Sequence, residues 1–242
     1  MLQAALNGNR TRCHHPSVPY TAPELARDAA EAARAGATSF HVHPRDADGR
    51  ESLEPDVVGG TLAAIRAAVP GLPVGVSTGQ WIAPTGRARH GLIRRWQILP
   101  DYVSVNLIEE DAPDVIALAH EVGVGVEAGV WSVDDVRRLL ALPEPERCLR
   151  VLIEVNEQDI EAALVNLDAI LGLLDDAGFP LARLAHGLDA AYWPVARRAV
   201  DRGCDLRIGL EDGGLLENGQ LAQGNMDLVA AGAELIRSIR RG

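Results

Sequence analysis

Short apolar runs alternate along this chain with longer Ala/Leu-rich stretches whose apolar positions recur at helical spacing. The short runs read as β-strands and the long ones as amphipathic helices. This pattern predicts strands at 2–6, 39–43, 73–77, 102–106, 123–128, 148–154, 183–186 and 205–210. Helices are predicted between them and after the last strand, at 22–35, 56–68, 87–97, 112–122, 133–141, 160–177, 190–202 and 226–239. Thr21-Ala22-Pro23-Glu24 carries an N-cap hydroxyl, an early proline and a glutamate at the third helical position, which together mark a helix start. Ser132-Val133-Asp134-Asp135 follows the same logic, and Gly36, Gly123 and Gly203 stand where helix C-caps are expected.

Eight strand/helix units in 242 residues match a single-domain (β/α)8 TIM barrel spanning residues 1–242. An open, doubly wound sheet is the rival fold. It usually carries a glycine-rich phosphate turn after the first strand, and Asn7-Gly8-Asn9-Arg10 does not follow GxGxxG. No linker, repeat or low-complexity stretch divides the chain.

Polar residues interrupt the strands in a telling way. In Phe40-His41-Val42-His43 and in Arg207-Ile208-Gly209-Leu210-Glu211, polar and apolar positions alternate. On a strand this puts His41 and His43 on one face, and Arg207, Gly209 and Glu211 on one face. Two imidazoles and a carboxylate are a common ligand set for a catalytic Zn²⁺ with an open position. In a barrel, active sites gather at the C-terminal ends of the strands, and alternate strands share an interior layer. His41 and His43 end the second predicted strand and Glu211 follows the eighth, so these even-numbered strands can bring them together. Asn106 and Glu154, at the ends of the fourth and sixth, belong to the same ring.

Other polar groups fall on the same face. Ser77-Thr78-Gly79 closes the third strand, either as a helix-capping turn or as a holder for a carboxylate or oxyanion. Arg207, if inward, needs an acidic partner. It either forms a structural ion pair, or binds a substrate carboxylate or orients Asp212. Glu127 and His186 end the fifth and seventh predicted strands, where structural and substrate-binding roles are both open. The polar loop Asn7-Gly8-Asn9-Arg10-Thr11-Arg12 suits an anionic ligand or is plain solvated loop. His14-His15-Pro16 reads as loop structure, since adjacent side chains point opposite ways.

Composition narrows the chemistry. All 23 basic residues are arginine, which excludes a Schiff base on an internal lysine and a Walker-type phosphate loop. A net charge of −11 argues against nucleic acid, and no apolar run is long enough for a membrane span. The N-terminal segment lacks the features of a signal peptide. Cys13, Cys148 and Cys204 form no metal or disulfide pattern, so a reducing cytoplasm is expected.

Taken in order, several motifs resemble one family. They are Asn7-Gly8-x-Arg10, His15-Pro16-x-x-Pro19, Ala35-Gly36-Ala37, His41-Val42-His43-Pro44-Arg45-Asp46-x-x-Gly49, Ser77-Thr78-Gly79 and Arg207-Ile208-Gly209-Leu210-Glu211-Asp212. Together they are similar to the β-keto acid cleavage enzymes, from residue 2 to about residue 230. The resemblance implies a Zn²⁺-dependent barrel that converts a β-keto acid and acetyl-CoA, its co-substrate, into acetoacetate and a new CoA thioester. It implies metal ligands at His41, His43 and Glu211 and a base-forming dyad of Arg207 and Asp212. Ser77 resembles the family's substrate-contacting serine. Asn7, Thr78, Gly79, Asn106, Glu127, Glu154 and His186 are the further substrate-site candidates. Arg10, Arg12, Arg87 and Arg89 are the candidates for the CoA phosphates, because no lysine is available. Family members are generally oligomers, so a homo-oligomer is expected. The loop after the first strand carries arginines where the type member has a glutamate for a substrate amine. A preference for neutral or anionic β-keto acids is therefore expected. Two other readings remain: a class II aldolase or metal-dependent hydrolase without CoA, and a non-catalytic metabolite-binding barrel.

Overall fold

In the computed structural model, which describes residues 1–82 and 86–241, eight parallel strands close in sequence order into one barrel. They are β1 (Leu2–Ala5), β2 (Ser39–Val42), β3 (Val74–Ser77), β4 (Tyr102–Asn106), β5 (Gly125–Val130), β6 (Arg150–Val155), β7 (Arg183–Gly187) and β8 (Asp205–Ile208). The helices are α1 (Ala22–Ala35), α2 (Pro55–Ala68), α3 (Ala88–Ile93), α4 (Ala112–Glu121), α5 (Val133–Leu140), α6 (Ile160–Asp176), α7 (Tyr192–Asp201) and α8 (Asn225–Arg241). The expected (β/α)8 barrel is the fold, and the doubly wound alternative falls because β8 pairs with β1. Among the described residues, no helix is long and apolar enough to cross a membrane.

Local sequence explains the elements. Thr21 and Glu24 form a full capping box at α1, and the Ser132 hydroxyl accepts from the Asp135 N–H at α5. Gly36, Gly123 and Gly203 all adopt positive φ just past a helix. The main apolar core lies between the strands and the helices. Phe40, Val42, Val103, Val105, Val126, Ala128, Val151, Ile153, Leu206 and Ile208 face outward into it. Burying each large aliphatic side chain there is worth roughly 1.5–3 kcal/mol.

The complementary positions point inward, and many are polar: Gln3, Ser39, His41, Ser104, Glu127, Arg150, His186 and Arg207 are all buried. Leu152 and Leu184 are also buried but stand apart from the helix-facing cluster. An interior of this kind departs from the bulky aliphatic layers usual in such barrels.

Two boundaries moved in ways that matter. The fifth strand was expected at 123–128, but Gly123 is a turn residue with φ +82° at the end of α4, and β5 starts at Gly125. Glu127 is thus the third residue of a six-residue strand instead of its fifth. The third helix, expected at 87–97, is only Ala88–Ile93.

Candidate metal centre and active site

Strand alternation aims His41 and His43 into the upper barrel, where their Nε2 atoms lie 3.1 Å apart. The chain leaves β8 at Ile208, and Glu211 follows in the turn. Its carboxylate lies 3.6 Å from His41 Nε2 and 3.3 Å from His43 Nε2. Donor atoms of these three side chains all fall within 4.8 Å of one another. Gly8, after β1, makes this approach possible. Its φ is +53°, and a Cβ there would stand 2.3 Å from Glu211 Cγ.

The donor set fits a divalent cation. Two imidazole nitrogens and a carboxylate converge, and Glu211 Oε2 is buried with no hydrogen-bond donor. The electrostatics treat the two histidines oppositely. Burial pushes His41 down to about 3. Burial opposes charge on His43 as well, but Glu211 and Glu51 outweigh it and hold His43 up at about 9. Glu211 stays well below the usual carboxylate range because Arg207 and the histidines overcome its burial. His43 is fixed from behind: its Nδ1 is 2.5 Å from Glu51 Oε1, and its backbone exchanges two 2.9 Å hydrogen bonds with the Asn7 amide. A carboxylate behind a ligating histidine sets its tautomer and orientation.

Beside this triad lies a buried chain of charges. Arg207 donates to Asp212 Oδ1 at 2.9 Å and to Oδ2 at 3.3 Å, and reaches Glu211 at 2.6 Å. Asp212 is fully buried; burial raises its pKa, but Arg207 and His186 outweigh that and hold it low. His186 Nδ1 is 3.1 Å from Asp212, and its Nε2 is 3.6 Å from Glu154. Despite burial, His186 is held above its ordinary value by these two acids. The result is an ionised carboxylate held behind Arg207 and His186, which with His43, Trp81, Trp131, Glu154 and Glu211 are among the residues that wall a cavity of about 430 Å³.

The remaining candidates divide. Ser77 ends β3, buried, with its Oγ 3.4 Å from the Gly79 N–H. Thr78 turns away and donates its hydroxyl to Ser104 O at 2.7 Å. Gly79 leaves room for the Trp81 indole, which a Cβ would meet at 2.4 Å. Gly129 does the same for Asn106 and Glu154, whose oxygens would lie 2.5 and 2.8 Å from a Cβ there. Glu127 does not reach this site; it is deep in the barrel, with its Oε1 2.6 Å from Arg150 Nε and Gln3 Nε2. Arg89 is fully buried and bound to Glu109 and Asp111, so it cannot meet a CoA phosphate. Arg87 is exposed and paired with Asp114. Arg12 is paired with Glu24. Arg10 sits at the cavity wall, but Asp189 holds it through two 2.9 Å hydrogen bonds. The loop after β1 therefore presents no unpaired positive charge from these arginines, which removes the basis for expecting it to repel an ammonium.

Four residues of the site escaped the sequence. Glu51 returns beside Arg45 through a tight turn at Asp46–Gly49, for which Asp-Ala-Asp-Gly was the available signal. Trp81 donates its indole N–H to Glu51 at 3.3 Å. Trp131 lines the cavity with its Nε1 buried and unpartnered. Asp189, with φ +46°, is the non-glycine residue at positive φ among the described residues. Its N–H donates to Asp212 O at 2.8 Å.

Comparison with known proteins now carries the matter further. The family model for beta-keto acid cleavage enzyme matches residues 1–242. The chain belongs to the beta-keto acid cleavage enzyme family. This member is 25% identical, over its whole length and 92% of the relative's, to the 3-keto-5-aminohexanoate cleavage enzyme of Fusobacterium nucleatum subsp. nucleatum. It is 27% identical to the 3-oxoadipate:acetyl-CoA acetyltransferase of Cupriavidus necator, again over its whole length and 89% of the relative's. The fold is also that of ObcA, seen in a ternary complex with a C4-CoA adduct and oxalate, at a TM-score of 0.75 and 16% identity. The match covers 92% of this chain, which spans 64% of ObcA's length. This cleavage-family chain is thus an enzyme on a single closed barrel.

Proposed function

We propose that this enzyme exchanges acyl groups between a β-keto acid and acetyl-CoA, yielding acetoacetate and a new acyl-CoA, at a zinc centre held by His41, His43 and Glu211. The observation that carries the reading is the pairing of two features through Arg207: a convergent His/His/Glu donor set, whose Glu211 meets Arg207, and an ionised Asp212 clamped by the same Arg207. When bound, the zinc ion would act as a Lewis acid toward the substrate's keto and carboxylate oxygens.

The chain's own residues account for the rest. Asp212 is the base for the C2 proton: Arg207 keeps its carboxylate ionised and aimed, and proton removal depends first on that reach. The C2 carbon then forms a bond to the thioester carbonyl carbon of acetyl-CoA. The CoA thiolate leaves and attacks the original keto carbonyl. The bond between that carbon and C2 breaks, C2 takes a proton back, and acetoacetate departs. One carbon–carbon bond forms and one breaks, one thioester replaces another, and no oxidant is needed. Ser77, at the end of β3, and Asn106 and Glu154, on either side of Gly129, are the substrate contacts. The acetyltransferase relative supports acetyl-CoA as the second substrate.

The test is a mass-spectrometric assay of acetoacetate and acyl-CoA formation across β-keto acids of different charge, with zinc measured by elemental analysis. Acyl exchange that requires acetyl-CoA and scales with zinc content is expected. Consumption of β-keto acid at the same rate without acetyl-CoA would overturn the reading.

A further inference from the structure

The reaction proposed above needs two substrates together, yet the cavity in front of Arg207 and His186 is ringed by charged and titratable side chains, among them Arg10, His43, Glu154 and Glu211. It suits a β-keto acid. It does not suit the long pantetheine arm of a CoA thioester, whose methylenes and gem-dimethyl group seek apolar contact. A second cavity, of about 500 Å³, opens beside it. Asp189 lines both. The cavity beneath α1 and the one beside Pro70 share no wall residue with the cavity in front of Arg207.

The second cavity is built from the segments that follow β7 and β8. One wall is Tyr192 and Trp193, at the start of α7; the other is Leu215, Leu216 and Leu221. Trp193 is held in place: its Nε1 donates to Leu215 O at 2.8 Å, and its ring meets Tyr192 edge to face at 5.1 Å. Leu215 and Leu221 face each other across an antiparallel bridge and are 52% and 59% exposed. Two leucines held out on a fixed hairpin, next to a catalytic cavity, leave apolar surface uncovered where a ligand could cover it. The loops after the seventh and eighth strands are also where (β/α)8 enzymes frequently bind phosphate-bearing ligands.

Asp189 divides the two spaces. Its positive φ, its N–H bond to Asp212 O and its double bond to Arg10 fix it at the threshold. Strain of this sort persists where the surroundings over-determine it, as at ligand clamps. Resting on the acyl-exchange reading, we infer that the Trp193–Leu215–Leu221 groove holds the pantetheine arm of the CoA thioester and delivers its acyl end past Asp189 into the cavity in front of Arg207 and His186. The cavity ringed by Glu154, His186, Arg207 and Glu211 holds the β-keto acid and the Trp193–Leu215–Leu221 groove holds the carrier, so the two substrates enter from different sides.

The test uses Leu215→Glu and Leu221→Glu, both at exposed positions where the fold tolerates charge. Binding of CoA alone is measured by calorimetry on wild type and variants. Turnover is compared for acetyl-CoA and for the acetyl thioester of N-acetylcysteamine, which lacks most of the arm. The inference expects CoA affinity to drop about tenfold and the preference for acetyl-CoA over the truncated thioester to fall by about the same factor. Equal CoA affinity in wild type and both variants overturns it, as does absence of CoA binding to wild type. If the variants change the oligomeric mass by light scattering while CoA affinity holds, the groove is a subunit interface and the inference fails. Failure of the acyl-exchange reading appears separately, as wild type that binds CoA but transfers no acyl group.

Discussion

The barrel interior holds two buried polar clusters, made of similar residue types at opposite ends. Near the N-terminal ends of the strands, Gln3, Ser39, Tyr102, Glu127 and Arg150 tie one another down. Glu127 Oε1 receives Arg150 and Gln3 at 2.6 Å, and Tyr102 OH receives Gln3 at 3.0 Å and contacts Ser39 at 2.7 Å. The Arg150 guanidinium lies over the Tyr102 ring at 5.0 Å. Here one carboxylate meets one guanidinium, and the charges cancel. At the C-terminal ends, Glu211 and Asp212 share a single Arg207, while His41, His43 and His186 turn ring nitrogens toward them. Among the described residues both clusters hold buried atoms without a hydrogen-bond partner: Gln3 Oε1 and Glu127 Oε2 in the lower one, and His41 Nδ1, both His186 nitrogens and Glu211 Oε2 in the upper one. The lower cluster balances its own charge through the Glu127–Arg150 pair, as a structural plug does. A cluster with surplus negative charge and convergent lone pairs is arranged for something that arrives from outside.

This contrast can be attacked from both ends. The largest effect is expected at the upper cluster: His41→Ala, His43→Ala and Glu211→Ala should each lose stoichiometric zinc and activity while circular dichroism reports a folded barrel. Zinc retained in all three by elemental analysis would remove the metal assignment. Asp212→Asn should keep zinc but lower kcat by on the order of 10²–10⁴, the usual range for loss of a general base. If the variant exchanges the C2 proton of bound substrate at the wild-type rate, by deuterium incorporation, another group is the base. Glu51→Gln acts one layer behind the metal. A drop in zinc affinity of roughly 10–100-fold is expected from competition with a chelator, because the His43 ring loses its carboxylate anchor. Unchanged affinity would mean that the Asn7 clamp alone holds His43.

The smallest effect on turnover is expected at the lower cluster. Glu127→Ala leaves the Arg150 charge stranded, which typically costs about 3–5 kcal/mol of stability. Denaturant titration should show that loss, with the kcat of the folded enzyme changed less than about threefold, a difference under 1 kcal/mol in the barrier. Adding Arg150→Met should recover much of the stability, since an apolar pair can replace a buried ion pair. A kcat collapse in Glu127→Ala that Arg150→Met does not reverse would make the lower cluster part of the chemistry.

The different fates of Glu127 and Glu154 show how far the sequence could be read. Both are acids on inward positions of barrel strands, and both were expected at the active face. Sequence alternation assigned the inward side correctly for each. It could not assign depth, because depth depends on where the strand starts. The two-residue shift of β5, set by the turn at Gly123, moved Glu127 down among Arg150 and Gln3. Arg89 shows the same limit. Its charge suggested a surface role, but tertiary packing buries it fully against Glu109 and Asp111.

The sequence by itself determined the eightfold alternation of strands and helices, the capping of α1 and α5, and the shared face of His41 with His43; it did not place Glu211, which lies in the turn after β8 and not on its face. The features it determined follow from local rules: a two-residue period along a strand, a 3.6-residue period along a helix, and hydrogen bonds across three positions at a helix start. Only the tertiary structure decided that Glu51 backs His43, that Asp189 clamps Arg10 at the threshold of the groove, and that Asp212 meets His186. Those contacts span 8, 179 and 26 positions. The first is made by the turn after β2; the other two exist because barrel closure brings the segments after β1, β7 and β8 to one rim, where a buried charge must find its partner among whatever side chains that closure delivers.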